Sequence, residues 1–218
     1  MEIVLFDSNC LLESILIGKT KVLFGGITNL FCSQGVYKEV EDKLKKPMFR
    51  HAKLKSYISL HRISVDIDEI YEQIKYFRSV ITPISDSGVM EGFKEVEKTA
   101  ALCKAKLGPG DRSIFAHCKS NHCDKVITHD STLHALIAES VTVTFLIELI
   151  IEHETNFEDL DLSIFNYLCD HCLVKYNKDI ITLRSEIGDF AYTVYPRIVR
   201  IKEFIKRRDK FSGLTIGV

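Results

Sequence analysis

Two short apolar runs, each ending abruptly in an aspartate, constrain the fold of this chain more than any other feature. Ile3-Val4-Leu5-Phe6 is apolar without interruption and stops at Asp7-Ser8-Asn9. Such a run suits a parallel strand covered on both faces better than a half-exposed one. Lys125-Val126-Ile127-Thr128 is a β-branched run that ends in His129-Asp130, with a helical stretch from Ser131 to Ala138 and a further strand at Val141 to Thr144 behind it. Between the two runs the period changes to that of helices. Val36, Val40 and Leu44 mark a helix over Gln34 to Leu44, and Ile67, Ile70, Tyr71, Ile74 and Phe77 mark another over Asp66 to Ile81. A third carries Phe93, Val96, Ala100, Cys103 and Leu107 before Gly108-Pro109-Gly110 stops it, and a fourth begins at once with Asp111. Strands alternating with helices predict an α/β fold with a parallel sheet.

At 218 residues there is room for one well-buried α/β domain and a helical appendage. From about Asn156 the pattern is helical only, through Leu162, Phe165, Leu168 and Cys169 and then Leu183, Ile187, Phe190 and Val194, so the expected division is residues 1–152 and a helical C-terminal extension over 153–218. A composition 46% hydrophobic and 27% charged excludes a disordered chain. The net charge of −1 supplies no global field for a polyanion, so any nucleic-acid contact must come from local basic patches. Seven cysteines at irregular spacing, with no signal peptide before them, point to reduced thiols and a cytoplasmic location. Val141 to Ile151, the longest apolar stretch, falls well short of the ~20 residues of a membrane helix, so no membrane partner is expected.

The carboxylates carry the chemistry. In open parallel sheets ligands gather beyond the carboxyl ends of strands, where Asp7 and Asp130 stand. Asp111 shares a helical stripe with Ile114, Phe115 and Cys118, and a carboxylate on a buried stripe requires a partner. Glu39 and Glu41 flank the apolar stripe of their helix on opposite sides, and periodicity does not choose between them. Carboxylates that converge with no Lys or Arg beside them repel one another unless a divalent cation supplies positive charge, and hard oxygen donors favour Mg²⁺ or Mn²⁺. Such an ion activates water and stabilises charge at a phosphodiester.

Leu5-Phe6-Asp7-Ser8-Asn9 resembles the first-strand Asp-x-Asn of PIN domains, and Val36-Tyr37-Lys38-Glu39-Val40 resembles their helix-borne Glu. Gly108-Pro109-Gly110-Asp111 resembles the family's Gly-x-Gly-Glu/Asp element, and Val126-Ile127-Thr128-His129-Asp130 its strand ending in Thr-x-Asp. The four elements come in the family's order over residues 1 to 152. The resemblance implies a Rossmann-like parallel sheet flanked by helices and a Mg²⁺ or Mn²⁺ site made by Asp7, Glu39, Asp111 and Asp130. Asn9, Thr128 and Ser131 would support that site through hydrogen bonds. The implied activity is that of an endoribonuclease, as in toxins of toxin-antitoxin pairs, with RNA as substrate and a protein antitoxin or regulator as partner. The chain departs from the family in having His129 where Asn or Asp is common, and in its greater length.

Each signal also has a plainer account. Asp111 alone reads as a helix-start acid, and Asp7 and Asp130 as turn residues after strands. Their occurrence together with Glu39 favours a site. His117, Cys118, His122 and Cys123, with Cys169, His171 and Cys172, invite zinc but lack a Cys-x-x-Cys pair, so buried or surface thiols are expected. His129 and His134 read as solvated loop histidines. The cluster Arg197, Arg200, Lys202, Lys206, Arg207, Arg208 and Lys210, and the smaller Lys43, Lys45 and Lys46, suit RNA phosphates, an acidic partner or a solvated face. The extension either completes the core, forms a homodimer surface or presents its basic residues. The alternative functions are a non-catalytic RNA-binding or regulatory PIN-like module and a small-molecule phosphatase of haloacid-dehalogenase type. The latter requires Asp-x-Asp where this chain has Asp7-Ser8-Asn9.

Overall fold

A computed structural model describes residues 2–103, 107–137, 140–146, 149–150 and 167. Apart from Tyr167, the region expected to form a helical extension, with its basic cluster, lies outside the described residues. Residues Met1–Thr155 group into one compact unit, which contains every element named below.

Val4–Phe6 forms β1, with all three side chains buried as a doubly covered strand demands. α1 (Ser8–Leu16) and α2 (Thr20–Gly26) follow, then β2 (Leu30–Phe31) and α3 (Gln34–Leu44). A 3-10 turn at Pro47–Phe49 leads to α4 (His51–His61) and α5 (Ile67–Val80). Beyond a second such turn at Asp86–Val89 lie α6 (Met90–Cys103) and α7 (Pro109–Lys119), then β3 (Lys125–Ile127), α8 (Ser131–Ile137) and β4 (Thr142–Thr144). The four strands form one all-parallel sheet in the order β2-β1-β3-β4, with Val4 opposite Leu30 on one side and Lys125 on the other. The backbone N–H of Asp7 extends the β1–β3 ladder by donating to the Ile127 carbonyl at 2.9 Å.

This strand order positions the site. The first crossover carries the chain from β1 to β2 on one side, whereas β3 and β4 lie on the other, so the direction of winding reverses between β1 and β3. A crevice opens at the carboxyl ends of strands at such a reversal. Asp7 follows β1 directly, and Thr128, His129 and Asp130 follow β3.

α3 packs on α7 and α1, and α5 on α1, α2 and α4, each burying most of the stripe the sequence predicts, with Ile67 and Tyr71 left half-buried. α3 buries Val36, Val40 and Leu44, and α5 buries Ile70, Gln73, Ile74 and Phe77. The Tyr37 and Phe77 rings stack with centroids 4.7 Å apart. α6 is described as far as Cys103, and Leu107 is not helical. Among the described residues no helix is long and apolar enough to cross a membrane.

Two glycines allow α7 to sit close to its neighbours. A Cβ on Gly92 of α6 would collide with the backbone of Ala116. A Cβ on Gly35 of α3 would stand 2.5 Å from the Ser113 Cβ and 2.8 Å from the Pro109 carbonyl. Gly35→Ala therefore pushes apart the two helices that carry Glu39 and Asp111. The expected result is a loss of about 1–3 kcal/mol, as for other overpacked interiors, read by urea unfolding. An unchanged midpoint would mean that α3 and α7 do not pack this closely.

Candidate metal centre

Four elements each bring one carboxylate toward the β1–β3 crevice. Asp7 occupies the N-cap position of α1, yet its side chain makes no cap there. It turns instead to Thr128, whose hydroxyl donates to Asp7 Oδ2 at 3.0 Å and accepts the Asp130 backbone N–H at 2.9 Å. Thr128 thus joins the two strand-end acids, and both it and Asp7 are fully buried. Asp130 Oδ1 accepts the Leu133 N–H at 2.9 Å, which caps α8. Asp111 Oδ2 reaches back to accept the Gly108 N–H at 3.0 Å at the start of α7. The plainer accounts of these two acids hold in part, since one oxygen of each serves a helix start.

Glu39 enters from α3. Its Oε2 accepts the Gly110 N–H at 2.9 Å, and its Oε1 accepts from Ser8 Oγ at 2.9 Å and pairs with Lys43 Nζ at 2.7 Å. Glu41, the other acid flanking the stripe, faces away and binds Arg78 at 2.8 Å. Glu39 and Asp111 are neighbours: a Cβ on Gly108 would lie 3.5 Å from Glu39 Oε2 and 3.4 Å from Asp111 Oδ2.

The electrostatics follow from this crowding. Burial first, then the charges of Asp7, Asp130 and Glu39, raise the Asp111 carboxyl from 3.8 to about 7, against the Gly108 hydrogen bond that lowers it. Glu39 goes the other way. Burial alone would raise it, but the Lys43 ammonium and the hydrogen bonds from Gly110 and Ser8 outweigh that and hold it below the ordinary range. A group of four acids that pushes one member to neutrality is a site that favours a cation, and its hard oxygen donors fit Mg²⁺ or Mn²⁺.

Lys43, which the sequence offers only as one of three lysines suited to phosphates, a partner or solvent, stands inside the acidic centre. The carboxylates do not converge without a cation side chain beside them. Lys43 Nζ lies within 3.1 Å of Ser8 Oγ and 3.0 Å of Asn9 Oδ1, besides its ion pair with Glu39. Asn9 therefore acts on the site through Lys43 and not by a bond to a carboxylate. The signal was present, because Glu followed by Lys four residues later on a helix is a favourable pair. Ser131 opens α8, and its side chain lies outside what is described.

A second cluster lies behind the first. Cys10, Glu13 and His129 are buried, with ligand atoms within 4.8 Å of one another, and no other such group of His, Cys, Asp or Glu occurs among the described residues. No three of the four carboxylates have oxygens within 4.8 Å of one another, so a cation here would draw them together or reach some of them through the water that Mg²⁺ commonly keeps. The Cys10 cluster nonetheless suits a metal poorly. His129 Nε2 accepts the Leu146 N–H at 3.1 Å, so a neutral ring carries its proton on Nδ1, which faces Glu13 Oε2 at 2.8 Å. Ligation through Nδ1 would require an imidazolate. His129 is 1% exposed and His134 7%, so neither is the solvated loop residue the sequence suggested.

The zinc alternative fails for the described residues. His117 Nε2 lies 3.1 Å from Asp86 Oδ1, and Cys118 is buried beside Cys123, which raises its thiol pKa well above the ordinary value. Cys169, His171 and Cys172 lie outside the described residues. Asp86 also accepts from Ser113 Oγ at 2.7 Å and from the Gly35 N–H at 3.1 Å. Because Ser113 and His117 both address Asp86 and not each other, the group ties the Asp86 turn to α3 and α7 and is no Ser-His nucleophile pair. No family model, curated protein or solved structure matches this chain.

Proposed function

We propose that this chain is a PIN-type endonuclease that hydrolyses RNA phosphodiester bonds with a divalent cation held by Asp7, Glu39, Asp111 and Asp130. The observation that supports this most is the convergence of Asp7, Asp130 and Glu39 on Asp111, whose carboxyl is raised to about 7 by burial first and then by their charges. Uncompensated repulsion of that kind is costly, and it persists where function requires it. The order of the four motif elements and their place at the winding reversal of a parallel sheet support the same reading. RNA is the substrate class implied by the resemblance.

When bound, Mg²⁺ or Mn²⁺ would supply an activated water and charge neutralisation at the phosphate. The protein's own groups have separate tasks. Thr128 fixes the rotation of the Asp7 carboxylate by donating to Oδ2. The Gly110 N–H, Ser8 and Lys43 hold Glu39 ionised and aligned. Asp111 accepts the Gly108 N–H on Oδ2, so its exchangeable proton resides on Oδ1 and leaves near neutral pH. Lys43 keeps one positive charge at the edge of the acidic group, within reach of a phosphate that approaches Glu39.

The test is cleavage of a labelled single-stranded RNA by the full chain. Cutting is expected with Mg²⁺ or Mn²⁺ and none with EDTA. Equal cutting in EDTA, or no cutting of RNA or DNA by folded protein, would overturn the reading, and the latter would favour the RNA-binding module.

A further inference from the structure

From Lys43 to Val65 the chain has seven Lys and Arg residues and no Asp or Glu. Apart from this segment and the cluster from Arg197 to Lys210, acidic residues outnumber basic ones, although the whole chain carries 29 basic and 30 acidic residues. The segment starts within the candidate metal centre at Lys43 and continues through α4. That helix spans ~16 Å and buries only Leu54. Arg50, Lys53, Lys55 and Arg62 are exposed, and no carboxylate among the described residues pairs with them. Some exposed cations do pair, as Lys75 does with Glu72, Lys94 with Glu91 and, at the edge of this segment, Lys45 with Asp42. Tyr57 and His61 sit among these charges with ring centroids 4.2 Å apart. Arg62 keeps its side chain at φ 52°, a left-handed position where glycine would be free of strain.

We infer that α4 and its flanks form a docking surface for single-stranded RNA, with phosphates on Arg50, Lys53, Lys55 and Arg62 and a base against Tyr57. Unpaired cations interleaved with an aromatic ring are what single strands bind. Lys45 and Lys46 link this surface to the acidic centre, so a strand held on α4 is led toward Lys43. The choice of RNA over other polyanions rests on the nuclease reading above.

The test is anisotropy of a labelled oligouridylate with the full chain in EDTA, where nothing is cut. The variant Lys53→Glu/Lys55→Glu/Arg62→Glu is expected to bind roughly 100-fold more weakly, and the slope of log affinity against log salt should fall by about two. The control Lys75→Glu/Lys94→Glu, on α5 and α6, should bind within about twofold of the parent. Circular dichroism and Tm confirm that both fold. The inference is overturned by equal binding of the triple variant, by an equal loss in the control, by no binding of the parent, or by a parent preference for anionic vesicles. Because binding is read without metal, the two proposals separate. A parent that cuts RNA while the triple variant binds it as well removes the α4 surface alone. Binding lost in the triple variant while the parent cuts nothing keeps the surface and removes the nuclease.

Discussion

Asp111→Asn raises the thermal stability of the metal-free protein at pH 8 while abolishing its affinity for Mn²⁺. Asn keeps an oxygen to accept the Gly108 N–H, so the start of α7 stays capped, and the change removes only charge. Asp111 titrates at about 7 in the fold against 3.8 for the free side chain. A group whose pKa is raised by folding contributes fully below its unfolded value, and that contribution is lost as pH rises through the folded one. The parent therefore weakens between about pH 4 and 7, by roughly 4 kcal/mol at the full shift, and the variant does not. For a chain of this size the variant's Tm should lie roughly 8–16 °C higher at pH 8 and close to the parent's at pH 4. A Tm that falls at both pH values would mean that Asp111 is only a helix cap.

Asp7→Asn has the largest expected effect on activity. The amide oxygen still accepts from the Thr128 hydroxyl, so the link between β1 and β3 survives. What is lost is the one carboxylate that is fully buried at the strand end. Loss of a charged ligand removes several kcal/mol of stabilisation at the phosphate, on the order of a 10³-fold fall in RNA cleavage. Asp7 is also the first charge acting on Asp111, so the variant lowers the Asp111 pKa and relieves part of the same repulsion. The stability gains of Asp7→Asn and Asp111→Asn should then sum to more than the double variant shows. Cleavage that persists in a folded Asp7→Asn protein would assign it to a contaminant.

Much of this centre is legible in the sequence because its residues sit where local patterns stop. Asp7 and Asp130 terminate apolar runs, and Asp111 follows a Pro-Gly break, so position alone marks them. Glu39 is different, since a helical period places it and Glu41 symmetrically about the stripe. Only the packing of α3 on α7, through Gly35, turns Glu39 inward and leaves Glu41 to Arg78. β2 is two residues long, too short for any period, and exists because β1 offers it a ladder. α4 shows little pattern because it buries one residue. The burial of His129 follows from its Leu146 and Glu13 contacts, 17 residues away in one case, which spacing does not encode.

The central claim is that the four carboxylates bind a divalent cation, and titration calorimetry of Mn²⁺ into the full chain, in buffers of different ionisation enthalpy, tests it most directly. The account predicts saturable binding with close to one proton released per ion at pH 6, little release at pH 8.5, and an affinity that falls about tenfold per unit below pH 7. Absence of binding, or binding that Asp111→Asn leaves unchanged, would contradict it.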